Sequence, residues 1–128
     1  MRKRRPGVRI VGKIDLKIYR AISPDILADE VVITDKQLAH IIEKRADTYD
    51  RYHDKLADIL SDPDYIFEDP KHPDTALVVK RYENAAEIVL RLNTESAVKK
   101  NSILTMWEIK EPRLKRYIFT HKTVYKKE

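Results

Sequence analysis

Apolar and polar residues alternate from Val8 to Tyr19 (VRIVGKIDLKIY), with Ile10, Ile14, Leu16 and Ile18 at even spacing, which predicts one or two short strands with a bend at Gly12. Ser23-Pro24-Asp25 interrupts the chain before a second apolar run, Val31-Val32-Ile33. Thr34-Asp35-Lys36-Gln37 has the spacing of a capping box and starts a helix, whose apolar stripe is Leu38, Ile41 and Ile42. His40 falls about 160° from that stripe, beside Lys36, Glu43 and Lys44, whereas Arg45 lies nearly on it. Asp47 to Asp50 can cap a second helix with Tyr52, Leu56, Ile59 and Leu60 on one face, and Asp62-Pro63 ends it. Strand grammar follows. Tyr65-Ile66-Phe67, Thr75 to Tyr82, Glu87 to Leu92 and Ser102 to Ile109 are rich in β-branched and aromatic residues, and Glu83 to Ala86 suits an antiparallel hairpin. In the third of these, Ile88, Leu90 and Leu92 face a core and Glu87, Val89 and Arg91 a wetter side. A short helix over 113–119 and a closing strand over 123–126 complete an α+β domain, two helices followed by a small antiparallel sheet.

Composition narrows the chemistry. At 128 residues, 42% hydrophobic and 37% charged, the chain has the size of one domain, read as 8–128 behind a basic flexible tail at 1–7. With no cysteine, disulfides, thiolate metal sites and thiol nucleophiles are excluded, and a reducing cytoplasmic setting fits. Gly7 and Gly12 are the only glycines, too few for a dinucleotide loop, a phosphate loop or a nucleophile elbow. Neither a membrane span nor a signal-peptide core is present in the pattern. The net charge of +5 is uneven: residues 1–20 and 99–128 are strongly basic, and 21–74 strongly acidic. If the two basic ends meet, they form a face for polyanions.

The histidines are His40, His53, His72 and His121, with no spacing suited to a metal, so neither metal nor cofactor is expected. His53, His72 and His121 read as structural or exposed residues. His40 has better company: Lys44 lies one turn on and Arg45 five residues on. An imidazole that titrates near neutrality beside cations is equipment for metal-free RNA cleavage. Lys80 and Arg81 interrupt the run TALVV, and only one of them can share a given sheet face. Thr105 and Trp107 share a face of a later strand and offer a hydroxyl and a stacking surface. Tyr125 and Lys126 can border a groove.

The stretches I-T-D-K-Q-L-A-H-I-I-E-K-R, D-P-D-Y-I-F-E-D, T-A-L-V-V-K-R-Y, V-L-R-L-N-T, S-I-L-T-M-W and V-Y-K-K-E, in that order from Ile33 to Glu128, resemble the phage-associated branch of the barnase/EndoU/colicin/RelE-like nuclease superfamily. The resemblance implies N-terminal helices packed on a four- or five-stranded antiparallel sheet and a metal-independent endoribonuclease attacking through the ribose 2′-hydroxyl. It assigns catalysis to His40, Arg45, Lys80 and Thr105. It leaves the general acid open among His121, Lys80 and Tyr125. Lys44, Arg81, Trp107, Tyr125 and Lys126 would then bind RNA along the groove. It further implies a phage, prophage or toxin origin, alone or within a larger polypeptide, and an acidic immunity or antitoxin partner. Oligomeric state stays open. The alternatives are a non-catalytic nucleic-acid-binding module and a phage structural or assembly module.

Overall fold

In the computed structural model, which describes residues 7–94 and 100–127, one sheet runs through the molecule. Its strands are β1 (Val8–Lys13), β2 (Glu30–Thr34), β3 (Tyr65–Glu68), β4 (Thr75–Arg81), β5 (Ala85–Arg91), β6 (Asn101–Ile109) and β7 (Thr123–Lys126), in the spatial order β1-β2-β6-β5-β4-β3-β7. The helices are α1 (Leu16–Tyr19), α2 (Asp35–Lys44), α3 (Ala46–Tyr52), α4 (Leu56–Ser61) and α5 (Glu111–Thr120), with a 3₁₀ turn over His53–Lys55. The basic tail expected over 1–7 lies outside the described residues, Gly7 excepted.

The α+β class stands, but the small all-antiparallel sheet does not. β2 and β6 run parallel through Val31↔Asn101 and Val32↔Ser102, so the seven-stranded sheet is mixed. Strands so far apart in sequence pair without a turn between them, and no local signal announces such a pairing. The strand predicted from Val8 ends at Lys13. Asp15 then accepts from the Lys17 N–H (3.0 Å) and caps the single turn of α1. Gly12 marks a register shift in the β1–β2 ladder, as its bend predicted, and a Cβ there would lie 3.1 Å from the Ala57 Cα of α4.

Helix placement also differs, since helices cover both faces. Alternation along β4 sends Ala76 and Val78 to an inner face, where Ile88, Leu90, Ile103 and Met106 pack with Ile41, Tyr52, Leu56, Ile59 and Leu60 from α2 to α4. Leu77 and Val79 point to the outer face, where Phe67, Ala85 and Ile109 pack with Leu114 and Tyr117 of α5. The α2 start is as predicted: the Thr34 hydroxyl accepts from the Gln37 N–H at 3.1 Å. Among the described residues, β1 and β7, which lie in the two basic ends, form opposite edges of the sheet. No described helix is long and apolar enough to cross a membrane.

Candidate active site

Only the first two residues of β6 are paired to β2, so from Ile103 onward that flank of the strand has no strand neighbour and is covered by α2 and α3. Arg45 is the joint between these helices. From there its side chain passes the β6 edge to the outer face, where Nη1 donates a long hydrogen bond to the Thr105 hydroxyl (3.5 Å). Its guanidinium carbon lies 4.6 Å from the centre of the Trp107 ring. Arg113 of α5 approaches the same indole at 5.9 Å and the Tyr117 ring at 5.8 Å. An indole thus fixes two cations on one side of the sheet.

The indole is itself anchored. Trp107 Nε1 and the Tyr117 hydroxyl (3.0 Å) both donate to Glu87 Oε1, which register places directly across from Trp107. Glu87 is fully buried, and its Oε2 has no hydrogen-bond partner. Burial raises its carboxyl pKa above the ordinary value, against the opposing effect of the Trp107 and Tyr117 hydrogen bonds.

A cavity of about 440 Å³ opens here, floored by Val89 and Thr105 and walled by Trp107, Glu87 and Tyr117. Its rim carries His121, just after α5, and Lys71 and His72 from the β3–β4 loop. His72 Nδ1 lies 3.2 Å from Asp69 Oδ2, and Asp69 Oδ1 accepts from the Lys71 N–H at 2.9 Å. Burial pushes the Asp69 pKa up, but the hydrogen bonds from Lys71 and His72 together with the charge attraction of His72 hold the carboxyl below its ordinary value. His121 stacks 4.6 Å from Tyr117, with Nδ1 2.8 Å from the Thr120 hydroxyl. Two imidazoles, each with Nδ1 engaged, therefore share a cavity whose lining residues Thr105 and Trp107 are contacted by Arg45, and Trp107 also by Arg113.

Of the predicted site residues, Arg45, Thr105 and Trp107 come together. Lys80 does not join them. Alternation sends it to the inner face with Ala76 and Val78, where its Nζ donates to the Asp62 carbonyl (2.8 Å) and carboxylate (3.2 Å) and is only 13% exposed. Tyr125 packs against the inner core opposite Ile66. Lys126 is exposed on the β7 edge. Arg81 shares the outer face but bonds Glu111 at 2.8 Å, at the far end of α5. Lys44 is exposed beside Glu43. His40 is exposed on α2, makes no hydrogen bond, ion pair or ring contact among the described residues, and is not part of the cavity wall.

A family model described as phage-Barnase-EndoU-ColicinE5/D-RelE like nuclease2 matches residues 8–126. The chain belongs to this nuclease family. Comparison with curated proteins and with solved structures gives no match. The geometry adds Glu87, Arg113, Tyr117 and His72 to the residues the sequence singled out, and places His121, one of the candidates for the general acid, on the rim of the nuclease cavity. Glu87 had one legible sign: a carboxylate preceded by Ala85-Ala86 and entering an apolar strand. His72 had none, because it reaches the nuclease cavity through the β3–β4 loop, whose path the spacing does not encode.

Proposed function

We propose that this nuclease is an endoribonuclease working in the outer-face cavity, without a metal ion, by attack of a ribose 2′-hydroxyl on the adjacent phosphodiester. The observation that supports it is the approach of Arg45 to Thr105 and Trp107 at a cavity rimmed by His72 and His121. In this reading Arg45 and the Thr105 hydroxyl hold the non-bridging oxygens of the scissile phosphate, and Arg113 adds positive charge as negative charge grows there. His72, its Nδ1 turned to Asp69, takes the 2′-hydroxyl proton at Nε2. As the O2′–P bond forms and the P–O5′ bond breaks, His121 gives a proton to the departing 5′ oxygen, leaving a 2′,3′-cyclic phosphate. Glu87 is a positioning residue for Trp107 and Tyr117. Lys80 is left to the fold. His40, outside the cavity, takes no part.

Incubation of end-labelled RNA with the protein in EDTA tests the reading. A cyclic-phosphate product is expected, and Arg45→Ala should lower its rate by ~10²-fold, the scale of one lost transition-state contact. Salt-sensitive RNA binding with no product would replace it by the non-catalytic binding module.

A further inference from the structure

The open part of the outer face continues beyond Thr105. Two residues along β5 from Val89 stands Arg91, opposite Thr75 of β4 and Ser102 of β6. Arg91 and Ser102 line a second hollow of about 370 Å³ at that end of the sheet. Two strand residues span about 6.7 Å, comparable to the step between successive phosphates of an extended polynucleotide.

The walls of this hollow are fixed by their own hydrogen bonds. Buried Asn101 accepts from the Asn93 N–H (2.8 Å) and donates to the carbonyls of Ala28 (2.7 Å) and Glu30 (3.0 Å). Across from it Asp74 holds a left-handed backbone, φ 60°, its carbonyl accepting from the Leu92 N–H at 2.7 Å. The Asp74 carboxylate accepts from the hydroxyls of Ser23 and Thr94. Lys100 is neutralised by Glu30 at 2.6 Å. Arg91 is exposed and pairs with no carboxylate among the described residues. A guanidinium with no carboxylate partner among the described residues, beside a serine hydroxyl, has the donors of a phosphodiester site.

We infer that this hollow is a second nucleotide subsite: Arg91 and the Ser102 hydroxyl take the phosphodiester next to the one cleaved, so the substrate is an RNA strand of several nucleotides laid along β5 and β6. The inference rests on the ribonuclease reading for the nature of its ligand. It has a readout of its own, because Trp107 is the only tryptophan and stands at the other end of the same face.

The experiment titrates the protein with 2′-O-methyl RNA, which lacks the attacking hydroxyl, as a dinucleotide and as a hexamer, following Trp107 fluorescence at several salt concentrations. The hexamer should bind more tightly and with a steeper salt dependence. Arg91→Ala should lower the hexamer-to-dinucleotide affinity ratio by roughly 5-fold and flatten the hexamer salt slope by about 0.7, the value of one single-strand phosphate contact. Ser102→Ala should lower the ratio less. A hexamer that binds no better than the dinucleotide, or an Arg91→Ala protein of normal melting temperature with an unchanged ratio and slope, overturns the subsite. The ribonuclease reading fails separately, if Arg91-dependent hexamer binding persists while unmodified RNA stays uncut.

Discussion

The lysine and the arginine that interrupt the strand sequence of β4, and the glutamate buried across from Trp107, show how much of this molecule turns on single side chains. Lys80 sits under α4 with its ammonium on Asp62. Lys80→Ala should therefore destabilise the fold by about 1 kcal/mol in denaturant titrations, with the folded fraction cutting RNA at the wild-type rate. A selective loss of cleavage with unchanged stability would return Lys80 to the site. Glu87 bears on pH. Its folded pKa is raised above 4.5, chiefly by burial, so the fold prefers the neutral acid, and the stability due to that preference is complete below the unfolded value. It is lost as pH rises through the folded value. Glu87→Gln keeps the acceptor for Trp107 and Tyr117 but cannot ionise. In thermal melts, the stability difference between variant and wild type should shift in favour of the variant as pH rises from 4 to 8; a constant difference across that range contradicts the assignment. Residue by residue, Thr105 and Trp107 were legible because strand alternation puts them on one face. The position of Lys80 opposite that face follows from the same rule, but which face would hold the cleft did not.

Elements were more readable at their ends than in their assembly. The Thr34 cap and the stop at Asp62-Pro63 both follow from side-chain chemistry within a few residues, and both fall where expected. The helix expected to continue through residue 53 is interrupted by the 3₁₀ turn over His53–Lys55. The parallel β2–β6 pairing and the placement of α5 across from α2 to α4 depend on contacts between distant segments, which local pattern does not carry. Two substitutions probe that assembly. Leu114 is fully buried between α5 and the outer face, and Leu114→Ala should cost about 3 kcal/mol. It should also reduce cleavage by the folded protein, since Tyr117 is on the same helix and His121 directly follows it. Gly12→Ala should cost about 1–2 kcal/mol by forcing β1 away from the α4 backbone. A variant as stable as wild type would mean that β1 and α4 can separate without loss.

At the scale of the whole molecule, the sheet divides labour between its faces. The inner one is closed by α1 to α4 and holds most of the core. The outer one is half covered by α5, and its open half carries the cavity. Charge asymmetry along the sequence does not locate the cavity: among the described residues β1 and β7 form opposite sheet edges, and the cations against Trp107 come from the helix joint at Arg45 and from α5. The measurement that tests this arrangement most directly is the rate of RNA cleavage in EDTA by wild type, His121→Ala and His40→Ala at equal folded concentration. The outer-face site requires a fall of ~10²-fold or more for His121→Ala, the range of a lost acid–base group, and a wild-type rate for His40→Ala. The reverse pattern, with His121→Ala fully active and His40→Ala inactive, would place the chemistry on the α2 surface and contradict the account.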